Sequence, residues 1–119
     1  MKNLKQQIHD KYDGLCAYTG QPLGDDWQID HVKPKVQGGG DDFDNLLPAL
    51  KIVNHYKRCQ DLESFRKYMM NFHIRLSKLP KMTRVEKTKK RIVYMNNIAS
   101  AFGITPERGF DGKFYFEKI

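Results

Sequence analysis

The most constraining stretch of the chain is WQIDHVKPKVQGGGDDFDNLLPAL, Trp27 to Leu50. WQIDHV has the short, apolar-rich character of a strand. Pro34 then removes a backbone donor, and Gly38, Gly39 and Gly40 open a loop that neither a helix nor a strand could continue through. NLLPALKIVNHYKR turns the chain back and leads into a helix over residues 52–58. The centre of the chain is therefore expected to be two short segments around an irregular loop, followed at once by a helix. The first segment ends in an adjacent Asp30-His31 pair, and the loop carries Asp41, Asp42, Asp44 and Asn45.

Shorter signals surround this centre. Leu4, Ile8 and Tyr12 recur every four residues and predict an amphipathic helix over 3–12, stopped by Gly14. LCAYTG predicts a short strand closing in a turn before Pro22. Asp61 is placed to cap a helix that carries Phe65, Met69, Phe72 and Leu76 at helical spacing. Thr83 and Glu86 have capping-box spacing before a helix to about Phe102, with Ile92, Met95, Ala99 and Phe102 on one side and Gly103 as its terminal cap. At the end, Asp111-Gly112 signals a turn, and Phe114 and Phe116 alternate as in a strand.

At 119 residues the chain is expected to form one domain, 1–119, with a modest core. It has no apolar run near the roughly 20 residues that span a bilayer, and MKNLKQQIHDKY lacks the apolar block of a signal peptide. Cys16 and Cys59 are too few for a disulfide framework, so a cytoplasmic protein with reduced thiols and no membrane partner is expected. The net charge of +7 is unevenly spread: residues 1–50 balance to −3 and residues 51–119 to +10. Residues 78–91 are the most basic, with seven Lys/Arg against Glu86 alone. Such a distribution suits a polyanionic partner, although a solvated helix face would look the same.

The chemistry sits at Asp30-His31. Adjacent residues on a strand point to opposite faces, but a pair at a frayed end can reach one site. A carboxylate offers hard oxygen ligation, and an imidazole can take a proton from water near neutral pH. Asn45 follows fourteen residues after His31, Asn54 nine after that, and Lys57 three later on the same helix face.

This ordered set, Asp30-His31, the glycines before an acidic loop, Asn45-Leu46, and Asn54 with Lys57, resembles the HNH endonucleases in an H-N-N form. The resemblance covers about residues 14–60 and leaves 61–119 as a basic helical extension. It implies an α+β fold: a ββα-metal hairpin-helix core with an N-terminal helix and a C-terminal helical extension ending in a short strand or hairpin. It implies a divalent-metal-dependent DNA endonuclease of a bacterial or phage-infected cell, leaving 5′-phosphate and 3′-hydroxyl ends.

In that reading His31 is the general base, and Asp30 and Asn54 hold one Mg²⁺ or Mn²⁺ ion. Asn45 shapes the loop so that His31 points correctly. Lys33, Lys57 and Arg58 hold substrate phosphates; outside the resemblance, the basic charge of 78–91 makes Lys87, Lys89, Lys90 and Arg91 candidates for wider contact with DNA. The glycines supply conformational freedom and room for a phosphate backbone, while the loop aspartates are expected to face solvent or cap a turn. His55, about 100° around the helix from Asn54, is expected to contact phosphate or to lie plainly on the surface rather than to bind metal.

Many family members carry two Cys-x-x-Cys pairs that bind a structural zinc. Here the corresponding residues are Cys16 with Thr19, and Leu50 with Val53. Three of the four thiols are missing, so packing of Leu15, Tyr18, Leu50 and Val53 is expected in place of zinc. Two rivals stay open: a nucleic-acid-binding module that no longer cuts, and an RNA-directed nuclease. A monomer and a homodimer are equally compatible with the sequence.

Overall fold

The computed structural model describes residues 2–119. The chain divides into two compact units: the described residues through Phe65 together with Lys113–Ile119, and Arg66–Gly112.

The first unit opens with helix α1, Leu4–Asp10, shorter than its apolar spacing predicts. Asn3 starts it: its side chain accepts from the Gln6 amide while Gln6 reaches back to the Asn3 amide, which satisfies two otherwise orphaned donors. Of the predicted apolar stripe only Ile8 is buried; Leu4 is exposed and Tyr12 half-buried. The expected strand LCAYTG is a single antiparallel bridge, Leu15 with Pro22.

Strands β1 (Gln28–His31) and β2 (Leu46–Ala49) form a two-stranded antiparallel sheet. Its register sets Ile29 opposite Pro48 and His31 opposite Leu46. Helix α2, Lys51–Lys57, follows directly. This is the expected hairpin-helix order, and the fold is α+β.

Val53, Tyr56 and Lys57 recur at helical spacing and make the buried face of α2. The core of this unit adds Cys16, Ala17, Leu46, Leu47 and Ala49. Tyr18 meets the rings of Phe65 and Phe114 edge-on, at 5.6 and 5.1 Å between centroids. The terminal strand expected from Phe114 and Phe116 is a 3₁₀ turn, Tyr115–Glu117. Its amides are satisfied across the chain, Tyr115 N–H on Tyr18 O and Phe116 N–H on Ala17 O. Phe114 is fully buried, so the alternating pattern reflects one anchoring ring rather than a sheet.

Helix α3, Leu62–Met70, continues from the first unit into the second. Asp61 caps it, its side chain accepting from the Ser64 amide at 2.8 Å. The single helix suggested by Phe65, Met69, Phe72 and Leu76 breaks at Asn71, and α4 runs Phe72–Ser77. Arg75 covers part of this break, donating to the Tyr68 carbonyl at 3.0 Å.

Helix α5, Glu86–Phe102, ends as expected on Gly103, whose φ of 71° suits glycine. Its start differs. Thr83 does not close a capping box; its hydroxyl accepts from the Val85 amide instead, one residue before the helix. The inward face of α5 is Met95, Ile98 and Ala99, with Ile92 and Phe102 half-buried at its edges. Among the described residues no helix is long and apolar enough to cross a membrane.

Candidate active site

Alternation along β1 turns Gln28 and Asp30 toward α2, where they meet Asn54 and Lys57. His31, the last residue of the strand, meets the loop at Asp41. Despite this, Asp30, His31 and Asn54 all line one cleft of about 240 Å³, together with Lys35, Arg58 and Cys59.

Asp30 is 4% exposed and Lys57 is fully buried. The Lys57 ammonium lies 3.2 Å from each Asp30 carboxylate oxygen and also donates to the His31 carbonyl at 3.0 Å. The Tyr18 hydroxyl donates to Asp30 from the other side. Burial pushes the Asp30 carboxyl above its ordinary range, and the charge of Lys57, followed by the Tyr18 hydrogen bond, opposes that shift. Tyr18 is itself raised well above a free phenol, first by burial and then by the Asp30 charge.

This corrects the expectation for Lys57. Its place on the Asn54 face was expected to aim it at substrate phosphates. That face packs on β1, so Lys57 is held in an internal ion pair and cannot reach a phosphate. Arg58, the next residue, is exposed and lines the cleft.

Asn54 donates its Nδ2 to Gln28 Oε1 at 2.6 Å, which leaves its own carbonyl oxygen for the cleft. His55 is exposed and lies outside the residues lining the cleft. Asn45 makes three backbone bonds. Its Oδ1 accepts from Lys33 N–H at 2.9 Å, and its Nδ2 donates to Lys33 O at 3.1 Å and Gly40 O at 2.8 Å. Lys33 is thus held by its backbone; its side chain is exposed and is not part of the cleft wall, where Lys35 stands instead.

The glycines serve the loop itself. Gly38 has φ 89°, and a Cβ on Gly39 would sit 1.7 Å from the Lys33 carbonyl oxygen. Lys87, Lys89, Lys90 and Arg91 are exposed on α5, and among the described residues only Lys89 of these four makes an ion pair, with Glu86 at 3.3 Å.

Sequence reasoning missed three participants. Asp41 was expected to face solvent or cap a turn; it is exposed, and in addition one carboxylate oxygen lies 2.8 Å from His31 Nε2, a contact the sequence did not indicate. That bond, with Lys35 next, holds its carboxyl below the usual range. Lys35 and Gln28 were not singled out at all. Gln28 could have been found from strand period, two residues before Asp30 and so on the same face.

Of the residues expected to pack in place of zinc, Tyr18 and Val53 are buried and Leu15 and Leu50 half-buried. Cys16 is buried and its sulfur accepts from the Leu50 amide at 3.5 Å.

The HNH endonuclease family model matches residues 14–50, which take in the hairpin, Asp30, His31 and Asn45. Over this segment, about a third of the chain, the protein is similar to the HNH endonucleases. HNH endonucleases are nucleases acting on nucleic acid, and they generally use a divalent metal ion. No curated protein matches the chain. The family match ends before α2, so Asn54 rests on geometry and spacing.

Among the described residues no group of three or more His, Cys, Asp or Glu is placed to hold a metal ion. The oxygen donors facing the HNH cleft are one carboxylate and one amide carbonyl, Asp30 and Asn54. That donor set fits a hard divalent cation that keeps most of its shell for water and phosphate. A carboxylate has about four lone-pair directions, so Tyr18 and Lys57 do not exhaust Asp30.

Arg58 stands at φ 56° and ψ −131°, a backbone conformation that a residue with a Cβ rarely adopts. Such strain costs about 1–3 kcal/mol. Arg58→Gly is therefore expected to raise stability by about 1 kcal/mol, after the entropy cost of glycine, while weakening binding of nucleic acid. Thermal unfolding and a binding titration check the two halves. A variant that melts lower, or binds as well as the parent, would count against this role.

Proposed function

We propose that the chain is a divalent-metal-dependent DNA endonuclease that cleaves phosphodiesters to 5′-phosphate and 3′-hydroxyl ends. The observation that carries this reading is the cleft itself, where a histidine with one ring nitrogen unpartnered among the described residues stands beside two hard oxygen donors and two cationic side chains. Asp30 and Asn54 would hold one Mg²⁺ or Mn²⁺ ion. Bound there, the ion supplies neutralisation of charge on the phosphate and on the departing 3′ oxygen. His31 takes a proton from the attacking water as its oxygen bonds to phosphorus and the bond from phosphorus to the 3′ oxygen breaks; the 3′ oxygen leaves with the electron pair and takes a proton from solvent to become the 3′-hydroxyl. Arg58 and Lys35 orient the phosphate, Asn45 keeps the loop in shape, and Lys57 fixes Asp30 from within.

The purified chain is expected to convert supercoiled plasmid to nicked or linear form with Mg²⁺ or Mn²⁺. EDTA should stop this without lowering the melting temperature, because three of the four knuckle thiols are missing from the sequence. Asn54→Ala should abolish most cleavage and His55→Ala very little. The reverse order would move the second ligand to His55. A parent protein that binds plasmid but never cuts it under these conditions would identify a binding module, and one that cuts only RNA would reassign the substrate.

The basic segment 78–91 of the second unit supports non-specific phosphate binding. Lys87, Lys90 and Arg91 are exposed and have no ion-pair partner among the described residues. Neutralising them together should weaken affinity for all DNA sequences alike. The log–log salt slope should flatten by about 0.9 for each phosphate that the variant no longer neutralises. An unchanged slope would mark the segment as a solvated face.

A further inference from the structure

We infer that Asp41 is a positioning residue for His31, holding the imidazole so that Nδ1 is the nitrogen left to receive the proton of water. This rests on the nuclease reading of the cleft. The hydrogen bond itself decides the chemistry. An ionised carboxylate can only accept, so a His31 Nε2 bonded to Asp41 Oδ1 at 2.8 Å must carry the hydrogen. In the neutral ring the lone pair then lies on Nδ1, which has no partner among the described residues. When Nδ1 takes a proton, the carboxylate faces the new positive charge, as in other carboxylate-supported histidine bases.

An ordinary surface ion pair would be worth little, since Asp41 has a side chain 66% exposed. The loop behind it makes the difference. Asn45 fastens the carbonyl of Gly40, the residue directly before Asp41, and both backbone groups of Lys33. Gly39 packs against the Lys33 carbonyl so closely that no side chain fits there. Lys35 adds a second partner for Asp41, 3.4 Å from the same oxygen. From the other side Lys57 holds the His31 carbonyl. The loop therefore delivers residue 41, rather than 42 or 44, to the ring. The glycines and Asn45 gain a common purpose: they fold the loop so that an aspartate ten residues from the histidine comes back to it.

The test has a spectroscopic arm and a kinetic arm. In ¹⁵N-edited spectra of the chain without metal or DNA, His31 should show an Nε2–H proton, identified by its absence in His31→Ala. Asp41→Ala should lose that signal to exchange with water, and Asp41→Asn, which keeps an acceptor, should retain part of it. In cleavage at saturating plasmid and metal, Asp41→Ala should lower kcat about tenfold to a hundredfold, the range for a partner that orients a functional histidine. DNA affinity should be unchanged or tighter, because a negative charge is removed. Asp42→Ala, an exposed neighbour, should leave kcat as it is.

An Nδ1–H signal in the parent chain would overturn the proposal, and so would an Asp41→Ala variant with unchanged signal and kcat. A fall in affinity in place of kcat would do the same. If the parent chain does not cleave at all, the nuclease reading fails, while the Nε2–H signal still decides whether Asp41 holds the ring.

Discussion

His31→Ala is expected to lower phosphodiester cleavage by about 10²–10⁴-fold while leaving the fold and DNA affinity intact, the range associated with loss of a general base. The structure explains why the loss should be confined to chemistry. The His31 side chain is partly exposed, 24%, and packs no core. Its backbone holds the strand end: its carbonyl accepts from Lys57, and its register partner is Leu46. Alanine keeps both. Single-turnover cleavage at saturating metal and plasmid, set beside thermal unfolding and a binding titration, checks the three parts of the expectation. A variant that cuts at the parent rate would remove His31 from the mechanism. One that unfolds early would make the residue structural.

How much of this was legible in the sequence depends on what each signal specifies. The order β1, loop, β2, α2 could be read because Pro34 and three glycines interrupt two apolar segments, and no regular element tolerates that interruption. Asp30 and Asn45 could be singled out because they lie in the segment that resembles the family, and Asn54 because of its interval from Asn45; the structure puts Asp30 and Asn54 on one cleft. Lys57 could not be placed. Spacing shows that it shares a helix face with Asn54, but spacing cannot say whether that face meets solvent or the sheet. Only the presence of Asp30 opposite it makes burial of an ammonium tolerable.

Asp41 was hidden for a related reason. Three aspartates in a glycine-rich loop are equivalent in sequence, and the choice among them is made by Asn45 bonding Gly40. The break at Asn71 and the failed capping box at Thr83 show local competition. Asn71 leaves the helical conformation without a side-chain cap bond, and the Thr83 hydroxyl takes the nearer Val85 amide, in keeping with the habit of short polar side chains of bonding their own backbone. Phe114 and Phe116 alternate without a strand because one ring is an anchor and no partner strand is available among the described residues.

Lys57→Met is expected to destabilise the chain by about 3–5 kcal/mol, the cost of leaving one member of a buried ion pair alone. Asp30 would retain only the Tyr18 hydroxyl of its two side-chain donors, in a site 4% exposed. Its carboxyl already lies above its ordinary range because of burial, and Lys57 is the strongest influence opposing that shift. Without Lys57 the shift should grow. The sign of the pH dependence follows from proton counting. A carboxyl raised in the folded state binds more protons there than in the unfolded chain, so stability falls as pH rises from the ordinary carboxylate value through the folded one. The deficit of Lys57→Met should therefore be largest near neutral pH and shrink in acid, as Asp30 becomes neutral.

Asp30→Asn combined with Lys57→Met removes both charges and should recover much of the stability lost by Lys57→Met alone, giving a coupling in a double-mutant cycle. Denaturant unfolding of the four proteins at neutral and acid pH measures this. The opposite pattern is equally clear. If Lys57 served substrate phosphates, Lys57→Met would melt like the parent, show no coupling to Asp30 and lose only affinity for DNA. That result would contradict the inward placement of Lys57 and restore it to the surface of the cleft.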